Sequence, residues 1–234
     1  MSTPVQSDTP DSDAPDAFLF DLDGTLVDSE RANVESVTLA VRHYGAELTE
    51  EERGFVIGHS WNEIYKMIAR NHGLPVPMRE LIALAVAEKD ALLAKTGHRA
   101  LPGAVALVRR LARRSKLALV SGASGREVRD ALLGIGVRDL FPIIVAAEDY
   151  ANGKPSPEPY LTGLAQLGVA AARSIVIEDA TPGILSARAA GIRVIAVQAG
   201  NFVGYDLSPA DVVVDTLDQV TDELCGRLLA GPLA

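Results

Sequence analysis

The residues of this chain best suited to chemistry are polar groups that end short apolar runs. Asp21 and Asp23 follow Ala17-Phe18-Leu19-Phe20 and lead into Gly24. Ser121-Gly122 follows the run Leu117 to Val120, Lys154 stands in the loop after Ile143 to Ala147, and Glu178-Asp179 follows Ile175 to Ile177. Where such runs are parallel strands, ligands bind at their carboxyl ends. Four carboxylates, a hydroxyl and one lysine then converge from positions more than 150 residues apart. Carboxylates at contact raise one another's pKa unless a cation lies among them. Oxygen ligands without a neighbouring His or Cys favour Mg²⁺ over Zn²⁺. With Mg²⁺ and Lys154 offsetting charge, the pocket suits a phosphoryl group, whose oxygens the backbone N–H groups of Gly122 and Ala123 can approach. An Asp carboxylate is then placed to act as nucleophile and form an aspartyl-phosphate.

The elements that must position these groups follow from the apolar pattern. Further runs at Val194 to Val197 and Val212 to Val214 are, like the first four, continuously apolar rather than alternating, as in a parallel sheet covered on both faces. Helical patterns separate them at Gly103 to Arg114, Arg126 to Leu133, Pro157 to Leu167, Pro182 to Ala190 and Leu217 to Leu229. Strand and helix alternate from residue 100 onward, which predicts a doubly wound, Rossmann-like α/β sheet. Residues 29–97 carry only helical signals, at Ser29 to Tyr44, Trp61 to Asn71 and Met78 to Lys95. The expected organisation is an α/β core of residues 17–28 and 98–234 with an inserted helical cap of residues 29–97. Residues 1–16, with four Asp and three Pro and no basic residue, read as a disordered acidic leader rather than a secretory signal.

Composition narrows the function classes. The 234 residues are 48 % hydrophobic and 23 % charged, which excludes a wholly disordered or collagen-like chain. A formal net charge of −9 argues against sequence-independent nucleic-acid binding. No apolar run approaches the ~20 residues that span a bilayer. The single cysteine, Cys225, cannot form an internal disulfide and fits a reducing cytoplasm. Arg109, Arg110, Arg113, Arg114 and Lys116 have the spacing of a solvated helix face and no interleaved aromatics. His43, His59, His72 and His98 lack metal-ligand spacing.

As a set, the motifs resemble the haloacid dehalogenase superfamily, in its helical-cap subfamily, and are similar to sugar-phosphate phosphatases and β-phosphoglucomutase. The octamer Asp21-Leu22-Asp23-Gly24-Thr25-Leu26-Val27-Asp28 carries the most specific match. Ser121 after Leu-Ala-Leu-Val, Lys154 in Gly-Lys-Pro-Ser-Pro-Glu-Pro, and Glu178-Asp179 with Thr181-Pro182-Gly183 complete it in order. The resemblance implies that Asp21 attacks phosphorus and that Asp23 protonates the leaving alcohol and then activates water. It implies Mg²⁺ on Asp21, Asp179 and the main-chain carbonyl of Asp23, assisted by Glu178. Ser121, Gly122, Ala123 and Lys154 would hold the phosphoryl oxygens. An acid at position 23 points to phosphate esters, since dehalogenases of the superfamily lack one there and phosphonatases carry a small residue.

The resemblance also assigns the cap loop around Gly58, His59, Trp61 and Asn62 to leaving-group recognition; otherwise Trp61 simply packs between cap and core. The mutase pattern has a histidine where this chain has Asn33 and an arginine where it has Trp61. The expectation is therefore a cytoplasmic, monomeric phosphatase for a small sugar or polyol phosphate, with phosphoglycolate as a second substrate. A mutase is the alternative, and a binding protein without chemistry is remote because every motif residue is present.

Overall fold

In the computed structural model, residues 14–74 and 76–231 are described, so residues 1–13 of the expected leader lie outside them. Pro15 and Asp16 already belong to the core. The Ser115 hydroxyl donates to the Pro15 carbonyl at 2.6 Å, and the Lys116 N–H to the Asp16 carbonyl at 2.9 Å.

The described residues form a six-stranded sheet of β1 (Ala17–Phe20), β2 (Lys116–Val120), β3 (Ile143–Val145), β4 (Ser174–Glu178), β5 (Arg193–Val197) and β6 (Val212–Val214). Their order is β3-β2-β1-β4-β5-β6, and all five pairings are parallel. This is the expected doubly wound, Rossmann-like arrangement. Side chains alternate across the pleat. Phe18, Phe20, Leu119 and Ile177 enter one apolar layer, whereas Leu19, Ala118, Val120 and Val176 enter the other. Because both faces are covered by helices, the strands need apolar residues at every position.

Between β1 and the core helices lie α1 (Glu30–His43), α2 (Glu50–Val56), α3 (Trp61–His72) and α4 (Met78–Thr96). They bury their own apolar cluster, including Val37, Val41, Ile68 and Leu81. The helix α2 has no counterpart in the sequence reading, and Thr49-Glu50-Glu51-Glu52 is its signal. The Thr49 hydroxyl accepts from the Glu52 N–H while the Glu52 carboxylate accepts from the Thr49 N–H.

The remaining helices are α5 (Ala104–Leu111), α6 (Gly125–Gly134), α7 (Glu158–Leu167), α8 (Thr181–Ala189) and α9 (Asp222–Ala230). The helix expected over Leu217 to Leu229 is broken. A short 3₁₀ turn covers Leu217–Gln219, and α9 starts afresh where the Thr221 hydroxyl accepts from the Leu224 N–H at 3.1 Å. The arginine face is partly engaged, since Arg110 and Arg114 both pair with Asp222 of α9. Cys225 is buried in the core.

Candidate active site

The site lies at the carboxyl edge of the three central strands. Phe20 is level with Leu119 of β2 and Ile177 of β4, so the residues that follow emerge side by side. Asp21, Ser121, Glu178 and Asp179 come together there, with Lys154 crossing from the β3 side. The Lys154 ammonium donates to Asp21 Oδ1 at 2.6 Å, to Glu178 Oε1 at 2.7 Å and to the Val120 carbonyl at 3.0 Å. Its side chain is 13 % exposed and stands 4.9 Å from the centre of the Tyr160 ring.

Glu178 spends both oxygens on protein donors. Oε1 accepts from Lys154 and from the Tyr160 hydroxyl at 2.9 Å, and Oε2 accepts from the N–H groups of Asp179 and Ala180. Asp21 Oδ1 is engaged by Lys154, and Asp179 Oδ1 accepts from the Thr25 hydroxyl at 3.0 Å. Among the described residues, the second oxygens of Asp21 and Asp179 accept no hydrogen bond and remain for other partners. Glycines make this proximity possible. Gly24 turns the chain at φ +79°, and a Cβ there would overlap the Asp179 carboxylate; one at Gly183 would overlap that of Glu178.

Crowding shows in the acidities. Burial pushes the Asp21 carboxyl up to about 7, with Lys154 opposing and Glu178 and Asp23 reinforcing the rise. Burial, then Asp21 and Glu178, pushes Asp179 up to about 9. Lys154 is held well above its usual range: burial works against its charge, but Asp21 and Glu178 outweigh it. Carboxylate oxygens of Asp21, Glu178 and Asp179 all lie within 4.8 Å of one another. An all-oxygen group whose negative charge one lysine does not fully offset fits a hard divalent cation.

Ser121 is buried, and its Oγ accepts from the Ala123 N–H at 3.0 Å. That differs from the expectation of two free N–H groups: the hydroxyl closes a turn on Ala123, leaving the Gly122 N–H without a hydrogen bond among the described residues. Asp23 is exposed, lines the same pocket and stands outside the three-carboxylate group. Of the cap-loop residues, Gly58 lines this pocket, where a Cβ at its position would overlap Val203. His59, Trp61 and Asn62 do not. His59 stacks on Phe55 with ring centroids 3.7 Å apart, Trp61 packs against the apolar cluster of the helical segment, and Asn62 is exposed. Asn33 lines an adjoining cavity. The supporting partners Thr25, Tyr160 and Tyr150, whose hydroxyl donates to the Ser121 carbonyl at 3.1 Å, have no counterpart in the sequence analysis. Thr25 belongs to the first motif, but nothing in the local pattern couples either tyrosine to residues across the sheet.

Fold and site together define an α/β protein whose acidic, lysine-buttressed pocket sits at the carboxyl edge of a parallel sheet. The family model for haloacid dehalogenase-like hydrolases matches residues 18–197, and the chain belongs to that family. It is 34 % identical over 209 residues to hexitol phosphatase A of Escherichia coli strain K12, covering 87 % of this chain and 92 % of the relative. It is 32 % identical over 204 residues to validoxylamine A 7'-phosphate phosphatase of Streptomyces hygroscopicus subsp. limoneus, covering 86 % and 94 %. Among solved structures, β-phosphoglucomutase from Clostridium difficile superposes with a TM-score of 0.69 at 25 % identity, covering 92 % and 97 %.

Proposed function

We propose that this chain is a Mg²⁺-dependent phosphatase that hydrolyses a small sugar or polyol phosphate through an aspartyl-phosphate. It is a phosphoric monoester hydrolase of its family, as its phosphatase relatives support. The observation that carries the reading is the Asp21 carboxylate, with one oxygen fixed by Lys154 and the other uncommitted, facing a pocket lined by Ser121 and Gly122.

Asp21 attacks phosphorus, an O–P bond forms, and the P–O bond to the leaving alcohol breaks. Asp23 gives that alcohol its proton and then takes one from the water that opens the aspartyl-phosphate. Lys154, the Ser121 hydroxyl and the Gly122 N–H hold the phosphoryl oxygens. Glu178, its oxygens occupied by protein donors, keeps Lys154 in place and would assist at the cation, directly or through water. Asp21, Asp179 and the Asp23 carbonyl would hold Mg²⁺, which offsets charge on the phosphoryl group when bound. Residues 29–97 act as a cap over a core of residues 17–28 and 98–234, excluding bulk water during turnover.

Phosphate release from a panel of sugar, polyol and two-carbon phosphates, with Asp21→Asn as blank, tests this. Release from a hexitol or sugar phosphate that vanishes in the blank is expected. Interconversion of hexose 1- and 6-phosphates without net release would replace the reading with a mutase.

A further inference from the structure

A lysine ammonium has three N–H donors and no acceptor. In the free protein Lys154 spends all three, on Asp21 Oδ1 at 2.6 Å, Glu178 Oε1 at 2.7 Å and the Val120 carbonyl at 3.0 Å. A phosphoryl oxygen held by this lysine must therefore take one of these bonds over. The bond most readily released is the one whose acceptor stays paired without it.

Val120 does not line the pocket, so the N–H aimed at its carbonyl points away from an entering phosphoryl group. Asp21 Oδ1 has no second donor among the described residues, and releasing it would strand one oxygen of the proposed nucleophile. Glu178 Oε1 does have a second donor. The hydroxyl of Tyr160, a fully buried residue, reaches it at 2.9 Å. Glu178 Oε2 meanwhile accepts from the N–H groups of Asp179 and Ala180 at 3.0 and 3.2 Å. Deprived of Lys154, Glu178 keeps three protein donors, and neither of its buried oxygens is left bare. The Tyr160 ring also lies against the lysine, its centre 4.9 Å from the ammonium, and attracts that charge independently of the carboxylate.

We propose that Tyr160 is a positioning residue for phosphoryl binding: as the phosphoryl group enters, Lys154 transfers its Glu178 bond to a phosphoryl oxygen, and the Tyr160 hydroxyl alone then holds Glu178 Oε1. The proposal rests on the phosphatase reading above.

Tyr160→Phe keeps the ring and deletes the donor. The test compares it with wild type in three measurements: steady-state release from the best ester of the panel above with Mg²⁺, the calorimetric dissociation constant of inorganic phosphate, and Tm. In the free variant Lys154 still covers Glu178 Oε1, so Tm falls by only a few degrees. Once Lys154 moves to phosphate that oxygen is bare. KM and the phosphate dissociation constant should therefore both rise by roughly tenfold, while kcat changes by less than about threefold. A merely structural loss would lower Tm and the number of binding sites and leave both constants where they were. Either constant unchanged, or a fall confined to kcat, overturns the exchange, and release by wild type then keeps the phosphatase reading intact. No release by wild type from any ester of the panel removes that reading and this one with it.

Discussion

Glu52 in the helical segment and the Asp21–Glu178–Asp179 group at the sheet edge are both carboxylate sites withdrawn from bulk water, but they are partnered differently. Glu52 is a single acid with a full set of donors: Asn71 Nδ2 at 2.8 Å, His72 Nε2 at 2.9 Å and the Thr49 N–H at 2.8 Å. Burial alone would raise its pKa, but the hydrogen bonds from Asn71, Thr49 and His72 prevail and hold it at about 2. At the sheet edge Lys154 is, among the described residues, the one lysine beside three acids and bonds only Asp21 and Glu178 of them, and for Asp21 and Asp179 burial prevails instead. One cluster is complete within the protein. The other has more carboxyls than its lysine can partner, and in Mg²⁺-free protein Asp21 and Asp179 hold protons that a cation would displace.

The largest break in this comparison comes from Asp21→Asn. It removes the proposed nucleophile and one of the crowded carboxyls together, so kcat should fall by at least about 10³-fold while Tm holds or rises. Phosphate release and thermal unfolding on the same preparation check both halves. A clear loss of stability would mean that the carboxylate is structural. Glu52→Ala should do the reverse. It strands Asn71, His72 and the Thr49 N–H, costs about 3 kcal/mol and lowers Tm by roughly 6 to 12 °C, with release per folded molecule retained.

The same contrast gives opposite pH slopes in Mg²⁺-free protein. Glu52 has a folded pKa of about 2 against an ordinary 4.5. Its contribution, about 3 kcal/mol, is complete above pH 4.5 and lost as pH falls toward 2. For Asp21 and Asp179 the folded values of about 7 and about 9 lie above an ordinary 3.8. The folded state therefore holds the extra protons, and stability declines as pH rises from about 4 through 7 and 9. Urea midpoints between pH 3 and 9 should show both limbs. Adding Mg²⁺ should flatten the alkaline limb alone, and Glu52→Ala should flatten the acid limb alone. An Mg²⁺ effect of equal size at pH 4 and pH 8 would show that the ion binds elsewhere.

The sheet-edge cluster was legible in the sequence because strand topology does the positioning. Apolar runs that end in Asp21, Ser121 and Glu178 must present those residues together once the strands pair in parallel. Its neutral supports were not legible, since Tyr160 and Tyr150 meet the site only through the packing of α7 and the loop before it. The helical segment was legible in outline. Its second helix was missed because seven residues, Glu50 to Val56, are too few for a clear period, although the capping box marked its start. In this structure Gly58 of the cap loop lines the pocket while His59, Trp61 and Asn62 do not, since a resemblance assigns a loop to a site without fixing which way each side chain of an exposed turn points.

The smallest effect sharpens the comparison most, because it changes partnering without changing charge. Thr25 is fully buried, and its hydroxyl is the one side-chain donor to Asp179 among the described residues. Thr25→Val keeps the shape and removes that donor, so Asp179 becomes still harder to ionise and harder to present to a cation. The Mg²⁺ concentration that half-maximally raises Tm should increase about tenfold, and that for half-maximal phosphate release should follow it. Stability without Mg²⁺ should fall by about 1 kcal/mol, since the buried Asp179 Oδ1 loses its donor. If both Mg²⁺ midpoints stay where they are, Asp179 is not a ligand, and the crowding at the sheet edge serves Lys154 rather than a cation.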